Sequence, residues 1–253
     1  MVSLLSRTRP TKHAHPNRRR EAPTMTVAAV IPAYNEVGRI RRVLETLTAT
    51  PEVQEVIVVS DGSTDGTYEE ACRVPGVRAI QLKRNKGKGG AMREGAERTN
   101  ADVLIFFDAD LIGLTSEHVR DLLHPVCHDN ADMATGIFKG GRWATDIAQT
   151  FSPGITGQRA IRRDVFLKIP GLDTVGYGIE LAITYFVRHN GYQSERVVMR
   201  GVTHPMKEEK LGPLKGTLSR AQMYWQMAKF RVSYELFRRP PRHKKQSPKR
   251  TKS

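Results

Sequence analysis

Two aspartates one residue apart, Asp108 and Asp110, close the apolar run of "ADVLIFFDADL". Like charges that close repel unless a cation lies between them or one takes up a proton. Hard divalent cations prefer carboxylate oxygens, so the pair reads as a place for Mg2+ or Mn2+. A second chemical signal lies upstream in "RNKGKGGAMREG". Lys86 and Lys88 stand among Gly87, Gly89 and Gly90 just before a helix, where backbone N–H groups and ammonium charges can face an anion. The spacing is not G-x-G-x-x-G, because Met92 takes the last glycine's place, and it is not a P-loop. Alone it reads equally as a plain turn; beside an acidic pair it suits a diphosphate clamped by a metal. Asp61, in "SDGSTDGT", either accepts hydrogen bonds from a nucleobase edge or ribose or closes an Asx turn of its own loop.

The elements that must carry these residues alternate in type. Val27–Ile31, Val56–Val59, "VRAIQLK" and the run before Asp108 read as strands. Between them, "EVGRIRRVLETLTAT" carries Ile40, Val43, Leu44 and Leu47 at helical spacing, "GTYEEACRV" reads as a short helix, and the glycine-rich loop runs into a third. Side chains alternate along a strand, so Asp108 and Asp110 are expected to point the same way. Apolar strands alternating with helices predict an α/β, Rossmann-like, mostly parallel sheet with helices on both faces. Ligands of such sheets bind beyond the carboxyl ends of the strands. Tyr34, Glu36, Asp61, Lys86, Lys88, Asp108 and Asp110 all fall there, from four separate loops.

The second half is less regular. "SPGITGQRAIRRDVFLKIPGL" reads as a loop and then a helix from near Arg162. "GYGIELAITYFVRHNG" reads as a helix with Ile179, Ile183 and Phe186 on one side, closed by Gly191. A strand and a polar loop follow in "SERVVMRGVTHPMKEEKLG", then a last amphipathic helix over 217–237. No internal repeat is present.

The formal charge of +15 invites a nucleic-acid reading, but its distribution argues otherwise. Residues 1–24 carry +5 and residues 238–253 carry +8, so the tails supply 13 of the 15 charges. Both are Pro-rich and poor in apolar residues, so they are expected to be disordered basic tails flanking a near-neutral body. Such arms suit anionic surfaces or serve as solubilising tails. The body has no aromatic stacking platform amid basic residues, which argues against nucleic acid as the partner. No run approaches the roughly 20 apolar residues needed to span a bilayer, and the apolar part of "MVSLLSRTRP" is too short for a secretory signal. Cys72 and Cys127 make no metal pattern and read as buried, reduced thiols of a cytosolic protein.

Taken in order and spacing, "VIPAYNE", "VIVVSDGSTDGT", "NKGKGGAMREG" and "FFDADL" resemble a family-2 glycosyltransferase of the GT-A fold. The likeness covers about residues 26–205 and places the catalytic domain at 25–216. It implies a UDP- or GDP-linked sugar donor, Mg2+ or Mn2+, and sugar transfer. Carried over residue by residue, Pro32, Tyr34, Glu36 and Asp61 fall where the family holds the nucleoside, and Lys88, Asp108 and Ala109 fall near the donor. Asp108 and Asp110 match the D-x-D motif, with Asp110 the direct metal ligand and a catalytic residue. One departure is Ser60 before Asp61, where many relatives have a second acid; the base preference stays open. In such chemistry a metal stabilises the departing diphosphate as a Lewis acid.

Two subfamilies compete. "TGQRAIRRDVF" and "THPMKEEKLG" resemble polyprenyl-phosphate sugar synthases such as dolichyl-phosphate mannose synthase, which makes Gly157, Gln158, Arg159 and Arg162 candidates for the acceptor or a phosphate. "GYGIE" with Thr203-His204 is similar to glucosyl-3-phosphoglycerate synthase. That likeness offers His204 as a third metal ligand and Glu180 as a base on an acceptor hydroxyl; each could otherwise be a loop histidine and a helix N-terminal acid. The last helix, with Met223, Tyr224, Trp225, Met227 and Phe230 beside basic residues, suits either a membrane-interface anchor or packing in a homodimer. The favoured expectation is therefore a lipid or polyprenyl-phosphate acceptor, on a cytoplasmic enzyme peripheral to the cytoplasmic face of the membrane. A soluble phosphorylated acceptor stands second. A nucleotidyltransferase would carry its glycine-rich basic loop right after the first strand, where this chain has "PAYNE".

Overall fold

A computed structural model of the protein describes residues 25–139, 156–173 and 178–205. Seven strands lie among them: β1 Val27–Ala33, β2 Glu55–Ser60, β3 Val77–Gln81, β4 Val103–Phe106, β5 Met133–Lys139, β6 Arg159–Arg162 and β7 Ser194–Arg200. The helices are α1 Ile40–Thr48, α2 Thr67–Cys72, α3 Gly87–Glu97, α4 Ser116–Cys127, α5 Arg163–Leu167 and α6 Ile179–His189. The sheet order is β3-β2-β1-β4-β6-β5-β7. Each neighbouring pair is parallel except those of β6, which runs antiparallel to β4 and β5. This is the α/β architecture that alternating apolar strands and helices predict.

Strand periodicity divides the core in two. Ala29, Ile31, Val56, Val58, Val103 and Ile105 face a cluster closed by α1 and α4; Ala28, Val30, Ile57, Val59, Leu104 and Phe106 face another closed by α3, α5 and α6. Both faces of the central strands are dry, so their sequences are continuously apolar rather than alternating.

Several boundaries differ from expectation. β1 does not stop at Ile31 but runs through Pro32 to Ala33, which pairs with Ser60. The glycine-rich stretch is the first turns of α3 itself rather than a loop before it. "RAIR" after Gln158 is β6, and the helix begins one residue later, at Arg163. β4 ends at Phe106, so Asp108 and Asp110 sit in the turn beyond it and strand alternation does not orient them. Helix α4 and strand β5 were not expected at all. Cys72 is exposed and Cys127 half-buried, not the buried pair expected. Both tails and the helix expected over 217–237 lie outside the described residues.

Gly89 shows why α3 begins with glycines. A Cβ at this position would stand 1.9 Å from the Leu172 carbonyl oxygen and 2.9 Å from Ile179 Cδ1, so the helix can lie this close to the chain before α6 only without a side chain. Gly89→Ala is expected to cost about 2–3 kcal/mol by overpacking, a fall in Tm of roughly 4–12 °C. Thermal unfolding checks this, and an unchanged Tm would mean that the contact yields freely.

Candidate functional site

The loops after β1 and β2 are tied to one another. Asn35, at φ +55°, accepts the Thr64 N–H at 3.0 Å; the Glu36 N–H donates to Thr67 Oγ1 at 2.8 Å, and the Val37 N–H donates to Asp65 Oδ2 at 3.0 Å. These bonds leave Tyr34 52% exposed on the rim, with Pro32 half-buried in β1 behind it and Glu36 paired to Arg39 at 3.3 Å. Asp61 is buried and does not close its own loop. Its Oδ1 accepts the Lys86 N–H at 2.7 Å and so pins the start of α3. Burial pushes its carboxyl up, against the lowering effect of bonds from the Lys86 and Gly87 backbone. The Lys86 ammonium turns back along α3 to Glu94, 3.0 Å away.

That leaves Lys88 as the lysine of this stretch that enters the crevice. Its Nζ lies 2.6 Å from Asp108 Oδ1 and 2.6 Å from Glu180 Oε1, bridging the turn after β4 to the first turn of α6. Burial would discharge the ammonium, but the two carboxylates overcome it and hold its pKa well above the ordinary lysine value. Burial would likewise push Asp108 up, and the charges of Lys88 and His204 reverse the sign, leaving it below the usual carboxylate range.

The fourth wall comes from far along the chain. An isolated bridge, with Ile112 and Thr203 exchanging hydrogen bonds of 3.0 Å, holds the segment after β7 against the turn after Asp110. His204 is thereby set between the two aspartates, with Nδ1 3.3 Å from Asp110 Oδ1 and Nε2 3.5 Å from Asp108 Oδ2, and its ring packs on Phe138 at 5.2 Å between centroids. Burial would lower its pKa, but the hydrogen bond to Asp110 and both carboxylate charges raise it.

Other expected site residues are placed differently. Gln158 and Arg159 are fully buried behind the crevice: Gln158 Nε2 donates to Asp108 Oδ2 at 2.9 Å, while Arg159 donates to the carbonyls of Thr156 and Glu180. Gly157 packs directly on the Lys88–Asp108 pair. Ala109 is part of the apolar core. Arg162 pairs with Val103 at the opposite end of β4 from the aspartates, exposed and bound to Asp164, so the fold does not bring it to the crevice. Thr156 is a site residue that sequence reasoning missed; a hydroxyl before Gly-Gln carries no signal until the buried glutamine needs a partner.

Oxygen from Asp108 and Asp110 and nitrogen from His204 make a donor set suited to Mg2+ or Mn2+. Their separations are those of a hydrogen-bonded group. Among the described residues no three His, Cys, Asp or Glu side chains stand ready around one point, because Asp108 is turned to Lys88 and Gln158. The donor chemistry fits a divalent cation, and Lys88 adds a fixed positive charge beside it.

The family model described as glycosyl transferase family 2 matches residues 28–175. Dolichyl-phosphate beta-glucosyltransferase of Drosophila melanogaster is 37% identical over 105 residues, 36% of this chain and 32% of that one, so the match spans about a third of the relative's length. Undecaprenyl-phosphate mannosyltransferase of Micrococcus luteus is 28% identical over 217 residues, covering 74% and 88%. Among solved structures, glucosyl-3-phosphoglycerate synthase of Mycobacterium tuberculosis, with Mn2+, uridine diphosphate and glucosyl-3-phosphoglycerate, superposes with a TM-score of 0.68 at 23% identity, covering 83% of this chain and 79% of that one. This last likeness is one of fold.

The histidine supplies a pH test. Its folded pKa is raised, so its stabilising effect is fully present below the unfolded value of about 6.5 and is lost as pH rises through the folded value. In EDTA, the Tm difference between wild type and His204→Ala is expected to be largest below the unfolded value of about 6.5 and to shrink as pH rises above it. A difference independent of pH would show that the imidazole carries no charge between its two aspartates.

Proposed function

The chain belongs to glycosyl transferase family 2, and on that premise we propose that it moves a sugar from a UDP- or GDP-linked donor to a polyprenyl-phosphate acceptor, with Mg2+ or Mn2+. The observation that carries this reading is the convergence of Lys88, Asp108, Asp110, Glu180 and His204 at the carboxyl end of β4. Asp110 and His204 would hold the cation, with Asp108 reaching it from its His204 side. The bound metal would supply Lewis-acid stabilisation of the departing diphosphate. Lys88 meets the same developing negative charge with a fixed ammonium, which needs no rearrangement at the moment of bond breaking. Tyr34 on the rim, with Pro32 at the end of β1 and the loops of Glu36 and Asp61 behind it, receives the nucleoside. Asp61 does so through its grip on α3 as well as any contact of its own.

The acceptor follows from what Glu180 is doing. A hydroxyl acceptor must lose a proton to a base, whereas a phosphate monoester is already anionic and a nucleophile as it stands. Glu180 Oε1 is committed to Lys88, which suits the phosphate. Both curated relatives above are named for polyprenyl-type phosphate acceptors, dolichyl and undecaprenyl. The second reading, a soluble phosphorylated acceptor, is favoured by the fold's likeness to a synthase solved with glucosyl-3-phosphoglycerate. In that case Glu180 must leave Lys88 to act as base. Lipid acceptors also give the basic tails a purpose at the cytoplasmic membrane face. Among the described residues no helix is long and apolar enough to cross a membrane, so the proposed attachment is peripheral, through residues 217–253.

Nucleotide release is expected from one class of UDP- or GDP-sugar with Mn2+ or Mg2+, stimulated by a polyprenyl phosphate and not by 3-phosphoglycerate, and abolished by EDTA. Release from no donor would reject the enzyme reading; stimulation by 3-phosphoglycerate alone would move the assignment to the soluble acceptor. Lys88→Met and Asp110→Asn are each expected to lower kcat by roughly 10²–10³. Vesicles containing anionic lipid are expected to sediment the full chain and not a chain lacking 217–253; equal, negligible binding by both would remove the membrane from the proposal.

A further inference from the structure

We propose that Thr156, Gly157 and Gln158 form a positioning element that fixes the Asp108 carboxylate and, through it, the Lys88 ammonium. Its catalytic consequence rests on the glycosyltransferase reading above. Thr156 and Gln158 are buried, Gln158 completely, so neither offers a surface to substrate. Their polar groups are spent on one another and on Asp108.

The direction of each hydrogen bond can be worked out. The Thr156 hydroxyl accepts the Gln158 backbone N–H at 3.2 Å, so its own hydrogen is free to donate to Gln158 Oε1 at 2.7 Å. That leaves the amide nitrogen as the end that faces Asp108 Oδ2, at 2.9 Å. Were the amide reversed, its oxygen would oppose a carboxylate in a buried place, a pairing with no proton between. The acceptor-only carboxylate therefore fixes the amide orientation, the Thr156 hydroxyl holds the other end of the amide in place, and the amide in turn holds the carboxylate rotamer. Asp108 Oδ1 then has one neighbour to meet, the ammonium of Lys88 at 2.6 Å.

Gly157 makes the same arrangement from the other side. A Cβ there would lie 2.6 Å from both oxygens of Asp108 and 2.7 Å from Lys88 Nζ. A lysine tip can swing away; a short carboxylate already held by Gln158 cannot. The backbone beneath is pinned, because Arg159 donates to the Thr156 carbonyl and to the Glu180 carbonyl, and the Gly136 N–H donates to the Gln158 carbonyl at 2.9 Å. The segment is thus a rigid bracket between β5, β6 and α6 with the ion pair as its load.

The test reads the ammonium directly. The half-buried Lys88 ammonium, held by two carboxylates, is read by its 15N–1H signal, assigned by its loss in Lys88→Met. The signal is expected to persist in Thr156→Ser, which keeps the hydroxyl, and to shift or vanish in Thr156→Val, Gln158→Leu and Gly157→Ala. In the transfer assay, kcat is expected to fall about tenfold or more in those three, with KM for the sugar nucleotide within about threefold, as for a misplaced but present group. Thr156→Ser should restore it. An ammonium signal unchanged in both Thr156→Val and Gly157→Ala would overturn the proposal. Should Gln158→Leu not fold, Thr156→Val changes one hydroxyl at constant shape and decides the matter. If the wild type turned over no sugar nucleotide, the glycosyltransferase reading would fall while the ammonium signal still decided the positioning.

Discussion

One ammonium between two carboxylates makes the rest of this crevice possible. Asp108, Asp110 and Glu180 converge where the parallel strands end, and three acids in a half-dry cleft would repel one another. Lys88 meets two of them at 2.6 Å, and His204 stands between the aspartates with its pKa raised by both. Lys88 offsets part of this negative charge, and His204 offsets more when it is protonated. The pair is half-buried, so removing one partner leaves the other charge in a partly dry place, and the surrounding structure keeps Lys88 and Asp108 together. The glycine at 157, the amide of Gln158 and the glycine-led start of α3 all serve that constraint.

The first half of the fold was legible because its signals are local. Four apolar strands with polar residues at their carboxyl ends gave the sheet, the crevice and most of its charged residues, and Asp108, Lys88 and Asp61 needed only order and spacing. The second half hid for physical reasons. β6 reads "RAIR", two arginines around two apolar residues, and only burial on both faces and pairing with β4 and β5 make it a strand. α4 carries Val119, Leu122, Leu123 and Val126 on its buried face, but its capping box uses His118 where Glu or Gln would be looked for, and Pro125 sits within its last turn. Arg159 and Arg162 look alike in sequence, and the register of one short strand puts the first behind the crevice and the second at the far end of the sheet.

Asp61 and Gln158 show a further limit of motif reading. Both were sought as groups that touch a ligand, and each also holds another part of the site: Asp61 grips the backbone at the start of α3 and Gln158 grips Asp108. A polar residue beside a crevice can matter through what it orients, and sequence spacing does not separate the two uses.

The bridge between Ile112 and Thr203 carries a consequence for how the protein is made. Glu180 meets Lys88 across 92 positions and His204 meets Asp110 across 94. A ribosome delivers β1 to β4 long before it delivers either partner. In the growing polypeptide the acidic turn therefore precedes its histidine by 94 residues, and the pocket can close only after residue 204 has cleared the exit tunnel.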